Sequence, residues 1–246
     1  MVVKRPGGIT KPVVIVHLYG REMNIYGDTG NVLALRRRLE WRGIPARVDR
    51  VDVGDRYDFT GADLAVAGGG EDSAQLAIGG DLVDRGPAIR EAVAAGVVFL
   101  TVCGTYQLFC RRFVTAAGHE IPGIGVFDAE TIGGGTRMIG NIVIESSWGR
   151  MVGFENHSGR TKLGAGQHSL GRVVKGYGNN DSTPEEGAVT ANCFGTYLHG
   201  SVLPKNPRFA DELLRRALTR RGEAEALSPL DDQVEMAAAE AASTRP

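Results

Sequence analysis

Val97-Val98-Phe99-Leu100-Thr101-Val102-Cys103-Gly104-Thr105-Tyr106-Gln107-Leu108 is the stretch whose reading decides the fold. Its first half is a short apolar, β-branched run, the pattern of a buried strand. The run stops at a cysteine followed at once by glycine, and the spacing predicts a helical segment from Thr105 to Arg112. A strand that turns sharply into a helix presents its turn residue at the sheet edge. The helix N–H groups behind that residue favour negative charge and lower a thiol's pKa. The same strand–elbow–helix logic serves the serine of hydrolases. Cys103 therefore stands where a thiolate nucleophile is built; a buried, inert cysteine is the competing reading of the same residues.

On the N-terminal side, Pro12 to Leu18 reads as the first strand and Tyr19 to Gly30 as a loop. A helix is expected from Asn31, taken as its N-cap, with Val32, Leu35 and Leu39 on the apolar face and Gly43 as its stop. Ala46 to Val53 and Asp63 to Ala67 are the next strands, the latter ending in Gly68-Gly69-Gly70. Two separate helical stretches, around Glu71–Ile78 and Ala88–Ala95, precede the cysteine strand. Strands alternating with helices imply an α/β fold with a mostly parallel central sheet flanked by helices. Ligands in such sheets bind beyond the carboxyl ends of the strands. The loop holding Asp28, the triple glycine and Cys103 all fall there.

Past Arg112 the character changes. Ile121 to Ile144 reads as strand and loop, with Gly133-Gly134-Gly135 as a turn, and Gly153 to Gly159 as a polar loop. Val189 to Leu198 reads as one strand leading to His199. Asn206 as N-cap and Pro207 at the first helical position open a last helix, with Phe209, Leu213, Leu214, Ala217 and Leu218 as its buried stripe. Residues 1–12 are expected to be a leader, 13–222 one domain, and 223–246 a flexible or helical tail.

The composition excludes several function classes. A formal net charge of −1 gives no electrostatic case for nucleic acid or an anionic membrane. The N-terminal apolar run Val13–Val16 is too short for a membrane span or signal core. Three cysteines, Cys103, Cys110 and Cys193, suggest neither a disulfide framework nor a metal site, so a cytoplasmic location is expected. There is no glycine-rich nucleotide motif and no metal-ligand spacing.

A cysteine nucleophile needs a base and an oxyanion site. His17 lies within the first strand, while His119 and His168 sit in polar stretches. His199, at a strand end in the same half of the fold, is the candidate base, with His157 as rival or pocket lining. A backbone N–H from Gly69 or Gly70, with that of Gly104, would make a two-donor oxyanion hole; an ordinary tight turn is the other reading of those glycines.

Cys103-Gly104-Thr105-Tyr106-Gln107 resembles the nucleophile elbow of class I glutamine amidotransferases. Tyr197-Leu198-His199-Gly200, in which no glutamate follows the histidine, resembles their cobyric acid synthase-like branch. Met23–Asn31, Leu39–Ile44, Gly153–His157 and Thr196–Pro207 are similar, more narrowly, to the GatD family, the glutaminase subunits of lipid II isoglutaminyl synthase. That resemblance implies a Cys–His glutaminase acting on L-glutamine. It implies a heterodimer with a MurT-like, Mur-ligase-family partner that carries ATP and Mg and amidates the D-glutamate α-carboxylate of lipid II. No cofactor is then expected in this chain. The resemblance assigns Cys103 and His199 to catalysis and Asp28 to a third catalytic position; a turn aspartate capping a helix, or a partner contact, remains the alternative for Asp28. It assigns Arg137 to the glutamine α-carboxylate, a surface arginine being the alternative, and lets Gln107 face the substrate. Two other functions stay open: a glutaminase for another amide synthetase, such as one amidating a cobalamin-like precursor, and a non-catalytic subunit.

Overall fold

The computed structural model describes residues 11–223 and 227–244. The expected leader therefore lies, but for its last two residues, outside the described residues, as do parts of the tail.

Strand β1 (Val13–Leu18) is buried at every position, as a parallel strand covered on both faces must be. It is followed by α1 (Thr29–Glu40), β2 (Ala46–Val51), β3 (Leu64–Ala67), α2 (Asp72–Ala94), β4 (Val98–Val102) and α3 (Gly104–Phe109). With β11 (Ala188–Thr190) and β12 (Cys193–Thr196), these strands form a six-stranded sheet of order β11-β12-β4-β3-β1-β2. All its pairings are parallel except that of the edge strand β11. From β1 the chain goes first to β2 on one side and then to β3 on the other. The strand order thus reverses between β1 and β3, the switch point at which such sheets open a crevice.

The remaining strands are β5 (Arg112–Val114), β6 (Glu120–Pro122), β7 (Ala129–Ser146), β8 (Gly149–Leu163), β9 (Gly171–Lys175) and β10 (Glu185–Glu186). They make a second, mainly antiparallel sheet around the β7–β8 hairpin. An isolated antiparallel bridge between Phe154 and His199 joins that hairpin to the first sheet. The chain ends in α4 (Pro207–Arg220) and α5 (Gln233–Thr244). The α4 stripe of Phe209, Leu213, Leu214 and Leu218 is fully buried, each side chain contributing about 1.5–3 kcal/mol. Helix α5 packs beside β7 and β8, and Asp232 just before it pairs with Arg38 of α1 at 2.6 Å.

Several local expectations are corrected. The two helical stretches before β4 are one helix, α2, which runs through Pro87. Its buried stripe Ile78, Leu82, Ile89 and Val93 is continuous, and Gly79 and Gly86 sit where Ile121 and Ile124 press on the backbone. These glycines permit close packing rather than end a helix. Asn31 is not the N-cap of α1. That helix starts at Thr29, and Asn31 instead receives the Leu203 N–H at 3.0 Å. Asn206 does stand at the N-cap of α4, but its side chain bonds both backbone groups of Val152. Helix α3 ends at Phe109, and Arg112 already belongs to β5. Gly133-Gly134-Gly135 is no turn; it lies in β7 at a bulge where the register with β8 shifts. Val189 to Leu198 is not one strand but a tight reversal from β11 into β12 around Ala191, whose φ is 52°. The Gly153–Gly159 segment lies within β8.

Candidate active site

Strand β4 delivers Cys103 into the elbow with φ 49° and ψ −103°. This is a left-handed conformation that an L-residue adopts at a cost of about 1–3 kcal/mol. The surroundings hold it there. The Cys103 N–H donates to the Thr196 carbonyl at 2.8 Å, and its carbonyl accepts from Gln107 N at 3.0 Å. Thr105 Oγ1 donates to the Ala67 carbonyl at 2.8 Å, tying α3 to the end of β3.

His199 follows β12 and is fixed by β8: its N–H donates to the Phe154 carbonyl at 2.7 Å. A Cβ built on Gly69 would lie 2.8 Å from His199 Cε1 and 3.2 Å from Cys103 Cβ. Imidazole and thiol side chain thus converge on one backbone position, and any side chain at residue 69 would drive into both. Neither ring nitrogen of His199 has a hydrogen-bond partner among the described residues. Burial, with His157 and Arg137 nearby, pushes the imidazole down to about 3. Burial, reinforced by Asp28, pushes the Cys103 thiol up to about 12, with Arg137 and the Gly104 N–H opposing. Both groups rest neutral at pH 7.

Asp28 is fully buried. Its Oδ2 accepts the Gly69 N–H at 2.8 Å and its Oδ1 accepts from Asn31 Nδ2 at 3.3 Å. Its bonds go to the glycine loop and not to the His199 ring. Asp28 occupies the Gly69 N–H, and the next nitrogen in the loop, that of Gly70, lies 3.2 Å from a Cβ built on Gly104.

Cys103 and Gln107 line an open cavity of about 740 Å³ with Tyr26, Gly70, Asp72, Arg137, Asn156 and His157. Arg137, exposed on β7, donates from Nε to Asn156 Oδ1 at 2.8 Å and from Nη2 to the Asn156 carbonyl at 3.0 Å. Gln107 is buried and braced: its Oε1 accepts from Gln75 Nε2 at 2.8 Å, and its Nε2 donates to the Tyr197 hydroxyl at 3.1 Å. His157 lies flat on Tyr197, with ring centroids 3.6 Å apart. Its Nδ1 faces the Gly159 carbonyl at 2.8 Å, a contact that puts the proton on Nδ1. His17 is buried in β1, and His119 and His168 are exposed away from the cavity. All three cysteines are free and buried.

The sequence reading gave no role to Tyr26, Gln75 or Asn156. Tyr26 and Asn156 lie inside quoted motifs, but nothing in their spacing says which residue they face. Gln75 falls in the helix expected around Glu71–Ile78, but nothing in its spacing says that it faces Gln107.

A family profile for the CobB/CobQ-like glutamine amidotransferase domain matches residues 14–207. The chain is 38% identical over 227 residues to the lipid II isoglutaminyl synthase (glutamine-hydrolyzing) subunit GatD of Staphylococcus aureus strain N315, covering 92% of this chain and 93% of that protein. It is 40% identical over 210 residues to the subunit of the same name from Streptococcus pneumoniae strain ATCC BAA-255 / R6, covering 84% and 81%. Among solved structures it is similar to a glutamine amidotransferase, with TM-score 0.56 and 18% identity over 83% of this chain and 98% of that one.

Proposed function

Because this chain belongs to the CobB/CobQ-like glutamine amidotransferases, and among them to the GatD family, we infer that it hydrolyses L-glutamine to glutamate and ammonia. The ammonia passes to a MurT-like subunit of the Mur-ligase family, with which the chain forms a heterodimer. That subunit binds ATP and Mg and amidates the D-glutamate α-carboxylate of lipid II to D-isoglutamine. Among the described residues no helix is long and apolar enough to cross a membrane. The reading sets the complex in the cytoplasm, where ATP is at hand.

The observation that carries the glutaminase reading is the convergence of a strained Cys103 and the His199 ring on the backbone of Gly69. His199 takes the thiol proton as Cys103 Sγ attacks the side-chain amide carbon of glutamine. Both groups start neutral, so proton transfer accompanies attack rather than preceding it. The tetrahedral oxyanion receives the N–H groups of Gly104 and Gly70, the Gly69 N–H being held by Asp28. His199 returns the proton to the leaving nitrogen, which departs as ammonia. Water then attacks the thioester through a second oxyanion and releases glutamate. Arg137 lines the cavity with a guanidinium able to take the glutamine α-carboxylate by two parallel bonds, and Gln107, braced by Tyr197, lines it too. Asp28 acts in this scheme through the glycine loop.

The test is ammonia release from glutamine by the purified chain, alone and with its partner. Cys103→Ala and His199→Ala should each abolish glutamine-driven amidation, while amidation from added ammonium salt persists. Survival of glutamine use in Cys103→Ala would remove the thiol from the mechanism. For Arg137→Ala, KM for glutamine should rise by about 10–100-fold, the worth of a charge-assisted pair.

A further inference from the structure

Among the described residues, no carboxylate bonds the His199 ring to orient it as in a triad. Two residues on lies Ser201, whose Oγ donates to the Gly27 carbonyl at 2.6 Å. Asp28 is engaged by Gly69 and Asn31. Both imidazole nitrogens are buried and unbonded among the described residues. The ring is instead held by packing. Tyr26 lies against it with centroids 4.2 Å apart and planes inclined by 49°, and the Gly69 backbone is its other close neighbour.

Tyr26 is half-buried on the cavity wall. Arg137 and Asn156 line the same cavity. Asn156 holds Arg137 through its side chain and its carbonyl. One tyrosine therefore touches the base with its ring and shares the cavity wall with the guanidinium.

We propose that Tyr26 is a positioning residue: its ring holds the His199 imidazole toward Gly69 and Cys103 and keeps water from it. The proposal rests on the glutaminase reading. A packing contact can set the ring plane, but it offers no acceptor for an N–H, so it orients the imidazole without stabilising its charged form. The titratable or charged groups facing His199 are Cys103 at the elbow, His157 on β8, Arg137 on β7, Asp28 beyond Gly69, and Tyr26 itself. Of these, His157 and Arg137 act with burial against the imidazolium. Opening the Tyr26 side to water weakens the burial component alone.

The experiment compares Tyr26→Phe and Tyr26→Leu with wild type in the complex with its partner, measuring kcat and KM for glutamine near neutral pH. Ammonium-driven amidation and circular dichroism serve as controls for fold. Tyr26→Phe keeps the ring, so its kcat should stay within about threefold of wild type. Tyr26→Leu should lower kcat by about 10-fold or more with KM changed by less than about threefold and the controls unchanged. Wild-type kcat in Tyr26→Leu, or a loss of kcat in Tyr26→Phe as large as in Tyr26→Leu, overturns the proposal. Should Tyr26→Leu fail the controls, Tyr26→Trp replaces it: retention of most of kcat supports ring packing, and loss as large as that expected of leucine overturns it. Wild type that releases no ammonia defeats the glutaminase reading itself, whereas active wild type with indifferent Tyr26 variants defeats only this proposal.

Discussion

The Gly69 N–H donates to Asp28 Oδ2 at 2.8 Å, inside the protein and away from solvent. The bond sets the orientation of the peptide entering Gly69, and through it the direction of the neighbouring Gly70 N–H at the cavity. A buried carboxylate thus shapes an oxyanion loop from behind.

Substitution at Asp28 should separate its acceptor from its charge. Asp28→Ala leaves the Gly69 N–H buried without a partner and should cost about 1–3 kcal/mol of stability, with a fall in kcat. Asp28→Asn keeps an acceptor and should lose less of both. Burial pushes the Asp28 carboxyl up to about 6, against the opposing Gly69 N–H. A value raised on folding means that this group favours folding most at low pH and loses that contribution as pH rises from about 4 to about 6. Asn should flatten that part of the stability profile, as read by urea unfolding at a series of pH values.

Strain at the elbow should appear as stability when it is released. Cys103 has φ 49°, a conformation glycine adopts freely. Cys103→Gly should therefore be more stable than Cys103→Ala by about 1 kcal/mol, although both are inactive with glutamine. Thermal melts of the two variants measure the difference; equal or lower stability of the glycine variant would mean that the elbow is unstrained.

The resting thiol should be slow toward a simple electrophile. With its pKa pushed up to about 12, Cys103 holds its proton at neutral pH. Iodoacetamide labelling, followed by mass spectrometry with Cys103→Ala as blank, should rise about tenfold per pH unit from pH 7 to 9 without levelling off. A plateau near pH 7 would reveal a preformed thiolate and overturn the neutral-pair account of catalysis.

Glu186 should act as a buried acid that destabilises the fold in alkali. Its Oε1 accepts from Tyr197 N at 2.6 Å and Thr196 Oγ1 at 3.0 Å, beneath the strand that leads to His199, while Oε2 has no partner among the described residues. Burial pushes the carboxyl up to about 8, with Glu155 adding to the effect. Its contribution is fully present below about pH 4.5 and is lost as pH rises through 8. Glu186→Gln should gain on wild type as pH increases, by about 3 °C or more in Tm between pH 5 and 8.5. A gap independent of pH would show that the carboxyl ionises normally.

Much of the first sheet was legible because its strands are buried on both faces and its helices carry apolar stripes. The second sheet was not, and β8 shows why. Its buried positions alternate with less buried ones, yet Glu155, His157 and Thr161 are among those turned inward. Glu155 accepts from Tyr177 N–H and Gly178 N–H, His157 Nδ1 bonds the Gly159 carbonyl, and Thr161 Oγ1 bonds the Tyr197 hydroxyl. A hydrophobicity pattern reads such a strand as loop because the partners that pay for its burial lie elsewhere in the chain. In α2, Gly79 and Gly86 admit Ile121 and Ile124, partners that also lie elsewhere in the chain.

By itself the sequence determined the α/β alternation, the cysteine at a strand-to-helix elbow and the histidine at a later strand end, since these follow from neighbours along the chain. The tertiary structure alone decided that Asp28 serves Gly69, that His157 lies on Tyr197, and that Tyr26 meets His199. Those contacts join segments distant in sequence, and a side chain's partner is set by the packing that brings such segments together.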